Sequence, residues 1–179
     1  MATTSIAQIA DAPVDRLRAF FIDSVEDETA IDRAEAYLAT IDVHAEPVWE
    51  AYAALFEIMR AKHVFWPGRK MDHLNAGLPV LDRLVEALPD DVEIRYIRLM
   101  SCYYLPRFLG RGWSVDADFA ALSRLLPGAQ GRFPAGLYAD MLQFVYEAGD
   151  PDDATRLDLE RALARLGPIT AREPAAGGD

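Results

Sequence analysis

The chain has 179 residues, of which 51% are apolar and 26% charged, and its formal net charge is -11. A chain of this length can bury about 70% of its unfolded surface around one core, and the composition excludes an intrinsically disordered protein. The excess of acidic groups excludes duplex nucleic acid as a partner, because phosphate binding depends on clustered Lys and Arg.

The N-terminal residues and the cysteine content bear on the cellular compartment. The first residues lack the basic and apolar segments of a signal peptide, and every apolar run is shorter than the ~20 residues that span a bilayer. Cys102 is the single cysteine, so no disulfide can form within the chain, and a lone thiol suits a reducing compartment. We therefore expect a cytoplasmic protein that does not insert into membranes.

Apolar residues recur at spacings of three and four along most of the chain, which predicts an all-α fold. The predicted helices cover residues 12–24, 27–41, 46–63, 69–88, 91–105, 115–126, 134–148 and 151–166. Short connections make successive helices antiparallel neighbours, so we expect about four helical hairpins in an irregular repeat. The expected organisation is a single domain over residues 1–167 and a flexible C-terminal tail over residues 168–179.

The third, fourth and fifth predicted helices carry the most informative patterns. The third has two adjoining apolar stripes, which predicts neighbours on two sides, and the fifth is apolar nearly all round, which predicts a central position. The fourth has one stripe that should be buried, formed by Met71, Leu74, Leu78, Leu81, Val85 and Leu88. Pro79 interrupts it and predicts either a kink or a helix start, while Asp90 with Glu93 predicts a capping box for the fifth helix.

The sequence around this cap carries a family resemblance. From Leu84 to Leu99 the chain resembles the junction between consecutive tetratricopeptide repeats, with Pro89 closing a turn and Asp90 and Asp91 at the capping positions. Gly77 stands at a small-residue site of that repeat, and residues 51–111 are similar to uncharacterised bacterial tetratricopeptide-like proteins. The resemblance implies a helical-repeat fold without an assigned activity, and such domains commonly bind peptides or partner proteins.

Catalytic and metal-binding patterns are weak in this sequence. No histidine has the spacing to another ligand that zinc or di-iron helices use. The sequence allows one metal site, formed by His63, His73 and Asp72, but these histidines can equally be ordinary surface residues. No general base is predicted near Cys102 to activate its thiol, and the sequence contains no complete serine-nucleophile or phosphate-loop motif. We therefore expect no catalytic residue, metal or cofactor.

Basic and aromatic residues form the candidate binding set. Residues 60–111 hold nine basic and six acidic side chains within an otherwise acidic chain. Two groups stand out in helix connections: Trp66, Arg69 and Lys70, and then Arg107, Phe108, Arg111 and Trp113. The sequence does not decide whether the helices bring these groups to the same end or to opposite ends. Arg95 and Arg98 share one helix face, where they either pair with acids such as Asp82 or Glu86 or line a groove.

These patterns favour a non-catalytic helical scaffold or adaptor. It would bind a protein or acidic peptide partner in a groove formed by the third to sixth helices. The alternative is an enzyme or accessory subunit that binds a small anionic molecule through Arg95, Arg98 and Lys70. Self-association into a homo-oligomer is a third possibility, because the apolar stripes exceed what one core needs.

Overall fold

The computed structural model of the protein describes residues 12–25 and 27–166. These residues form eight α-helices and no strand. The helices are α1 (Pro13–Asp23), α2 (Thr29–Leu38), α3 (Pro47–His63), α4 (Pro67–Ala87), α5 (Val92–Tyr103), α6 (Gly112–Leu125), α7 (Ala135–Ala148) and α8 (Asp153–Leu166). Each predicted helix is present with its ends shifted by three residues or fewer, so the all-α prediction is confirmed.

The described residues fall into two compact units, which divide between Ser114 and Val115. The first unit holds α1 to α5, and the second holds most of α6 together with α7 and α8. That residues 1–167 act as a single domain stays a prediction, and the predicted tail over 168–179 lies outside the described residues. None of the described helices combines the length and apolar composition needed to cross a bilayer.

In the first unit α3 is the central helix, since it packs against α1, α2, α4 and α5. The predicted contacts on two sides are therefore confirmed. Tyr52, Leu55 and Phe56 are almost completely buried, and the ring of Tyr52 stacks on that of Phe56 at a centroid distance of 6.3 Å. Nine residues of α5 are also buried, which agrees with the central position predicted for that helix.

The helices α3 and α4 run antiparallel in close contact. Glu57 contacts His73 at 2.9 Å and Glu50 contacts Arg83 at 2.6 Å, so positions rise along one helix as they fall along the other. Between these pairs, a Cβ atom added at Gly77 would lie only 2.5 Å from Ile58 Cγ1. A glycine is therefore required for the two helices to approach this closely.

The long helix α4 runs through Pro79 from Pro67 to Ala87. The expectation of a helix start near Pro79 is wrong, because Pro67 already occupies the first turn, where a missing N–H costs nothing. The predicted stripe is buried at its middle, but Met71 and Leu88 are 38% and 37% exposed. These two lie near the ends of a 21-residue helix that is longer than its neighbours α3 and α5, with 17 and 12 residues.

The start of α5 differs from the prediction by one residue. Asp91, not Asp90, is the N-cap, and its side chain accepts a hydrogen bond of 2.9 Å from the Ile94 amide. Glu93 does not complete a capping box, because it is buried and accepts hydrogen bonds from Arg18 at 2.8 and 2.7 Å and from the Tyr52 hydroxyl at 2.8 Å. This buried network joins α1, α3 and α5.

The second unit has its own apolar centre. Leu122, Leu142 and Leu159 are fully buried, and the rings of Phe119 and Phe144 stack at a centroid distance of 5.8 Å. The Tyr138 hydroxyl donates a 2.8 Å hydrogen bond to the carbonyl of Leu126, where α6 passes into a short 3-10 helix. Asp152 caps α8, because its carboxylate accepts a hydrogen bond of 2.8 Å from the Thr155 amide.

Candidate functional site

The topology of the first unit brings both predicted groups to one end. The connection between α3 and α4 lies where α3 ends and α4 begins. The helix α5 starts beside the start of α3, where Glu93 meets Tyr52, so α5 ends at that same end. In agreement, Met71 near the start of α4 and Leu109 after α5 line one cavity. We call this surface the aromatic-basic end, defined by Lys62, Phe65, Trp66, Arg69, Lys70, Tyr104, Arg107 and Phe108.

Large aromatic side chains are strongly exposed at this end. Phe65 and Trp66 are 85% and 67% exposed, and Tyr104 and Phe108 are 71% and 86% exposed. Tyr103 and Trp113, the other exposed aromatics among the described residues, also lie in residues 65–113. Scattered exposed apolar residues are ordinary on a protein surface, but aromatics concentrated at one end indicate a contact surface.

Four cations of the aromatic-basic end have no ion pair or hydrogen bond to another side chain within the described part of the chain. They are Lys62, Arg69, Lys70 and Arg107. Every other Lys and Arg there contacts a carboxylate, a backbone carbonyl or an aromatic ring. In a chain with a net charge of -11, carboxylates are abundant, so cations left without one at a single end form a local positive patch.

Local helix chemistry accounts for Lys62, which lies in the last turn of α3, where the helix dipole favours a cation, but it does not account for Arg69 and Lys70. The first turn of α4 contains no acidic residue, and its N-cap, Trp66, makes no side-chain capping hydrogen bond. The partial positive charge at a helix N-terminus disfavours nearby cations such as Arg69 and Lys70. The cations in the first turn of α4 thus destabilise the helix, as is common for residues of a binding surface.

The predicted arginines Arg98 and Arg111 have a structural role. Both bind Asp82, Arg98 at 3.1 Å and Arg111 through two hydrogen bonds of 2.7 and 2.8 Å, and both guanidinium groups lie over the ring of Trp113. Burial by itself would raise the pKa of Asp82, but the hydrogen bonds and charges of the two arginines lower it. Arg98 is 4% exposed, so the pairing predicted with Asp82 is observed and Arg98 does not line an open groove.

Arg95 lies apart from this cluster. It donates to the carbonyl of Pro89 at the beginning of α5, which is the opposite end from Phe108. Of the predicted binding residues, Trp66, Arg69, Lys70, Arg107 and Phe108 therefore share the aromatic-basic end, while Arg111 lines the neighbouring cavity. Lys62, Phe65 and Tyr104 belong to the same surface, but they are absent from the candidate binding set predicted from the sequence. Their closeness in sequence to Trp66 and Phe108 is the signal that could have identified them.

The cavity beside the aromatic-basic end measures about 240 Å³. It lies between α4 and the segment that follows α5. Its lining is Met71, Leu74, Asn75, Leu78, Pro79, Asp82, Leu109 and Arg111. Since cavities that enclose drug-sized ligands measure about 300–1,000 Å³, this one suits a single large side chain.

Each histidine contacts a carboxylate, and His44 does so with Glu50 at 3.3 Å. His73 contacts Glu57 at 2.9 Å, and His63 contacts Glu28 at 3.3 Å. Within residues 12–25 and 27–166 no group of three or more His, Cys, Asp or Glu side chains has an arrangement that holds a metal ion. The metal site drawn from His63, His73 and Asp72 is therefore not assembled.

Comparison of the sequence with protein-family models, with curated proteins and with solved structures gave no match.

Proposed function

We propose that this protein is a non-catalytic helical adaptor that binds an acidic segment of a partner protein at the aromatic-basic end. The observation that carries the proposal is the coincidence of four cations without a side-chain partner and four strongly exposed aromatics on one surface. Aromatic residues and arginine are enriched at protein interfaces and supply much of the binding energy there. Charge complementarity selects a partner segment rich in Asp and Glu.

A small-molecule function has less support. The three cations nominated for an anion site do not converge, since Arg98 is buried against Asp82, Arg95 binds the Pro89 carbonyl and Lys70 lies at the aromatic-basic end. The cavity nearby is also smaller than sites that enclose metabolites. An extended partner segment that covers several residues fits this surface better.

The tetratricopeptide-like arrangement of about four hairpins is part of the proposal. The antiparallel α3–α4 pair, with Gly77 at its closest approach, supports one such hairpin. The buried free thiol of Cys102 supports a cytoplasmic location, since reducing compartments preserve such thiols. Self-association would bring the acidic remainder of one copy to the basic end of another, and light scattering measures it directly.

The test uses a fluorescein-labelled peptide of alternating Asp and Glu and a neutral peptide of Asn and Gln. Fluorescence anisotropy should show that the full chain binds the acidic peptide and not the neutral one. Replacing Lys62, Arg69, Lys70 and Arg107 by Gln should abolish binding. The matched control replaces Arg124, Arg132, Arg161 and Arg165 by Gln, which changes the net charge equally and should preserve binding.

The aromatic contribution has its own readout. Trp66→Ala and Phe108→Ala should each weaken binding of the acidic peptide about tenfold, while Leu157→Ala, an exposed position of the second unit, should not. Equal binding by the two four-residue Gln variants would contradict the proposal. Cosedimentation with phosphatidylserine vesicles without any peptide binding would reassign the surface to a membrane.

A further inference from the structure

The proline within α4 changes the hydrogen bonding of the cavity wall. Pro79 lies in the interior of the helix and has no N–H, so the carbonyl of Asn75, four residues earlier, loses its usual helical donor. Asn75 and Pro79 are both exposed and both line the cavity. The residue that carries this acceptor therefore lines an open cavity, and a ligand N–H is one group that can replace the missing helical donor.

The remaining lining has two kinds of chemistry. Met71, Leu74, Leu78 and Leu109 form an apolar part, while Asp82 is paired with Arg111 at the polar edge. Because Asp82 is bound through both oxygens, the edge does not present a free carboxylate that would repel an acidic ligand. The apolar part favours a side chain of leucine or phenylalanine size.

Two lining residues of the cavity are chain neighbours of residues of the aromatic-basic end. Met71 directly follows Lys70, and Leu109 directly follows Phe108, so one extended peptide can contact the cations and the cavity together. The four cations select acidic residues on either side of whatever enters the cavity. Together these features distinguish the occupant from an apolar helix, which would leave the cations without partners.

We infer that the cavity between α4 and the segment after α5 is an anchor pocket for one large apolar side chain of the acidic partner segment. A backbone N–H of that segment donates to the Asn75 carbonyl, which Pro79 leaves without its helical donor. The inference rests on the proposed function and makes it more specific, because it requires an apolar residue flanked by Asp and Glu.

The test compares two fluorescein-labelled peptides of alternating Asp and Glu that carry either leucine or glycine at the centre. The full chain should bind the leucine peptide at least about tenfold more tightly, as expected when one leucine side chain is buried. Met71→Gln should reduce this preference. Leu157→Gln, a matched change at a similarly exposed apolar residue of the second unit, should leave it unchanged.

Pro79→Ala tests the carbonyl. Alanine restores the helical N–H, so the temperature of unfolding should rise, while binding of the leucine peptide should weaken about three- to tenfold through loss of one hydrogen bond. A general loss of fold would lower the unfolding temperature instead, so the two effects are separable. Equal binding before and after this substitution, or an unfolding temperature that does not rise, would overturn the role of the carbonyl.

The outcomes also separate this inference from the proposed function. If both peptides bind equally and binding still needs the four cations, the anchor pocket is refuted and the acidic docking surface stands. If neither peptide binds, the proposed function itself fails. A leucine preference that survives Met71→Gln unchanged would place the anchor elsewhere and overturn the inference.

Discussion

At the scale of single residues, Gly77 decides how closely α3 and α4 pack. Alanine is favoured over glycine in a helix by about 0.8–1 kcal/mol, yet a Cβ at this position would meet Ile58 at 2.5 Å and the Ala54 carbonyl at 2.7 Å. We expect Gly77→Ala to destabilise the fold by about 1–3 kcal/mol through overpacking, as measured by urea unfolding. Gly68→Ala, where a Cβ meets no atom within 4 Å, is the control and should be neutral or stabilising.

Glu93 is the second residue whose role is set by distant partners. Its carboxylate is held by Arg18 of α1 and Tyr52 of α3, and the side chains of Arg18 and Glu93 are only 12% and 9% exposed. Glu93→Gln removes one charge of a buried pair, while Arg18 keeps Asp15 as a partner at 2.8 Å, and should destabilise the fold by about 1.5–3 kcal/mol. Glu86→Gln, at an exposed position of α4, should change the free energy of unfolding by less than about 0.5 kcal/mol. Similar effects in both variants would show that the network does not join the helices as described.

At the scale of helices, the start of α5 shows what sequence reasoning can and cannot supply. Both Asp90 and Asp91 are capable N-caps, and Glu93 in the third position after Asp90 favoured the first choice. The structure selects Asp91 because Glu93 is drawn into the core by Arg18, which lies 75 positions earlier in the chain. Such a long-range partner leaves no local signal.

The N-cap role of Asp91 predicts that Asp90 and Asp91 contribute differently to stability. Asp91→Ala should cost about 1 kcal/mol, because the Ile94 amide loses its acceptor, whereas Asp90→Ala should have little effect. Thermal unfolding of the two variants under identical conditions measures the difference. A larger loss for Asp90→Ala would restore the capping box predicted from the sequence.

The helices themselves were predictable because apolar side chains repeat along each of them at helical spacing. Pro79 was harder to interpret, since a proline can begin a helix or lie within one. In the structure Pro67 occupies the first turn of α4, and Pro79 therefore lies within the helix. Because α3 ends at His63 and α4 begins at Pro67, Trp66 lies in the short connection between them, at the same end as Phe108.

At the scale of the whole molecule, charge is distributed unevenly over an acidic chain. Sequence composition located the basic region within residues 60–111, but it did not show which cations pair internally. Arg98 and Arg111 bind Asp82 and support the fold, while Lys62, Arg69, Lys70 and Arg107 have no side-chain partner among the described residues. The distinction depends on three-dimensional neighbours, and it separates the structural cations from those assigned to partner binding.

The most direct test of partner binding at the aromatic-basic end is photo-crosslinking in cells that produce the protein. A benzophenone amino acid in place of Phe108 should crosslink to an acidic segment of one protein, and the same group in place of Leu157 should not. Replacing Lys62, Arg69, Lys70 and Arg107 by Gln should abolish the crosslink. Crosslinks that are identical from both positions, that persist without the four cations, or that map to basic segments would contradict the account.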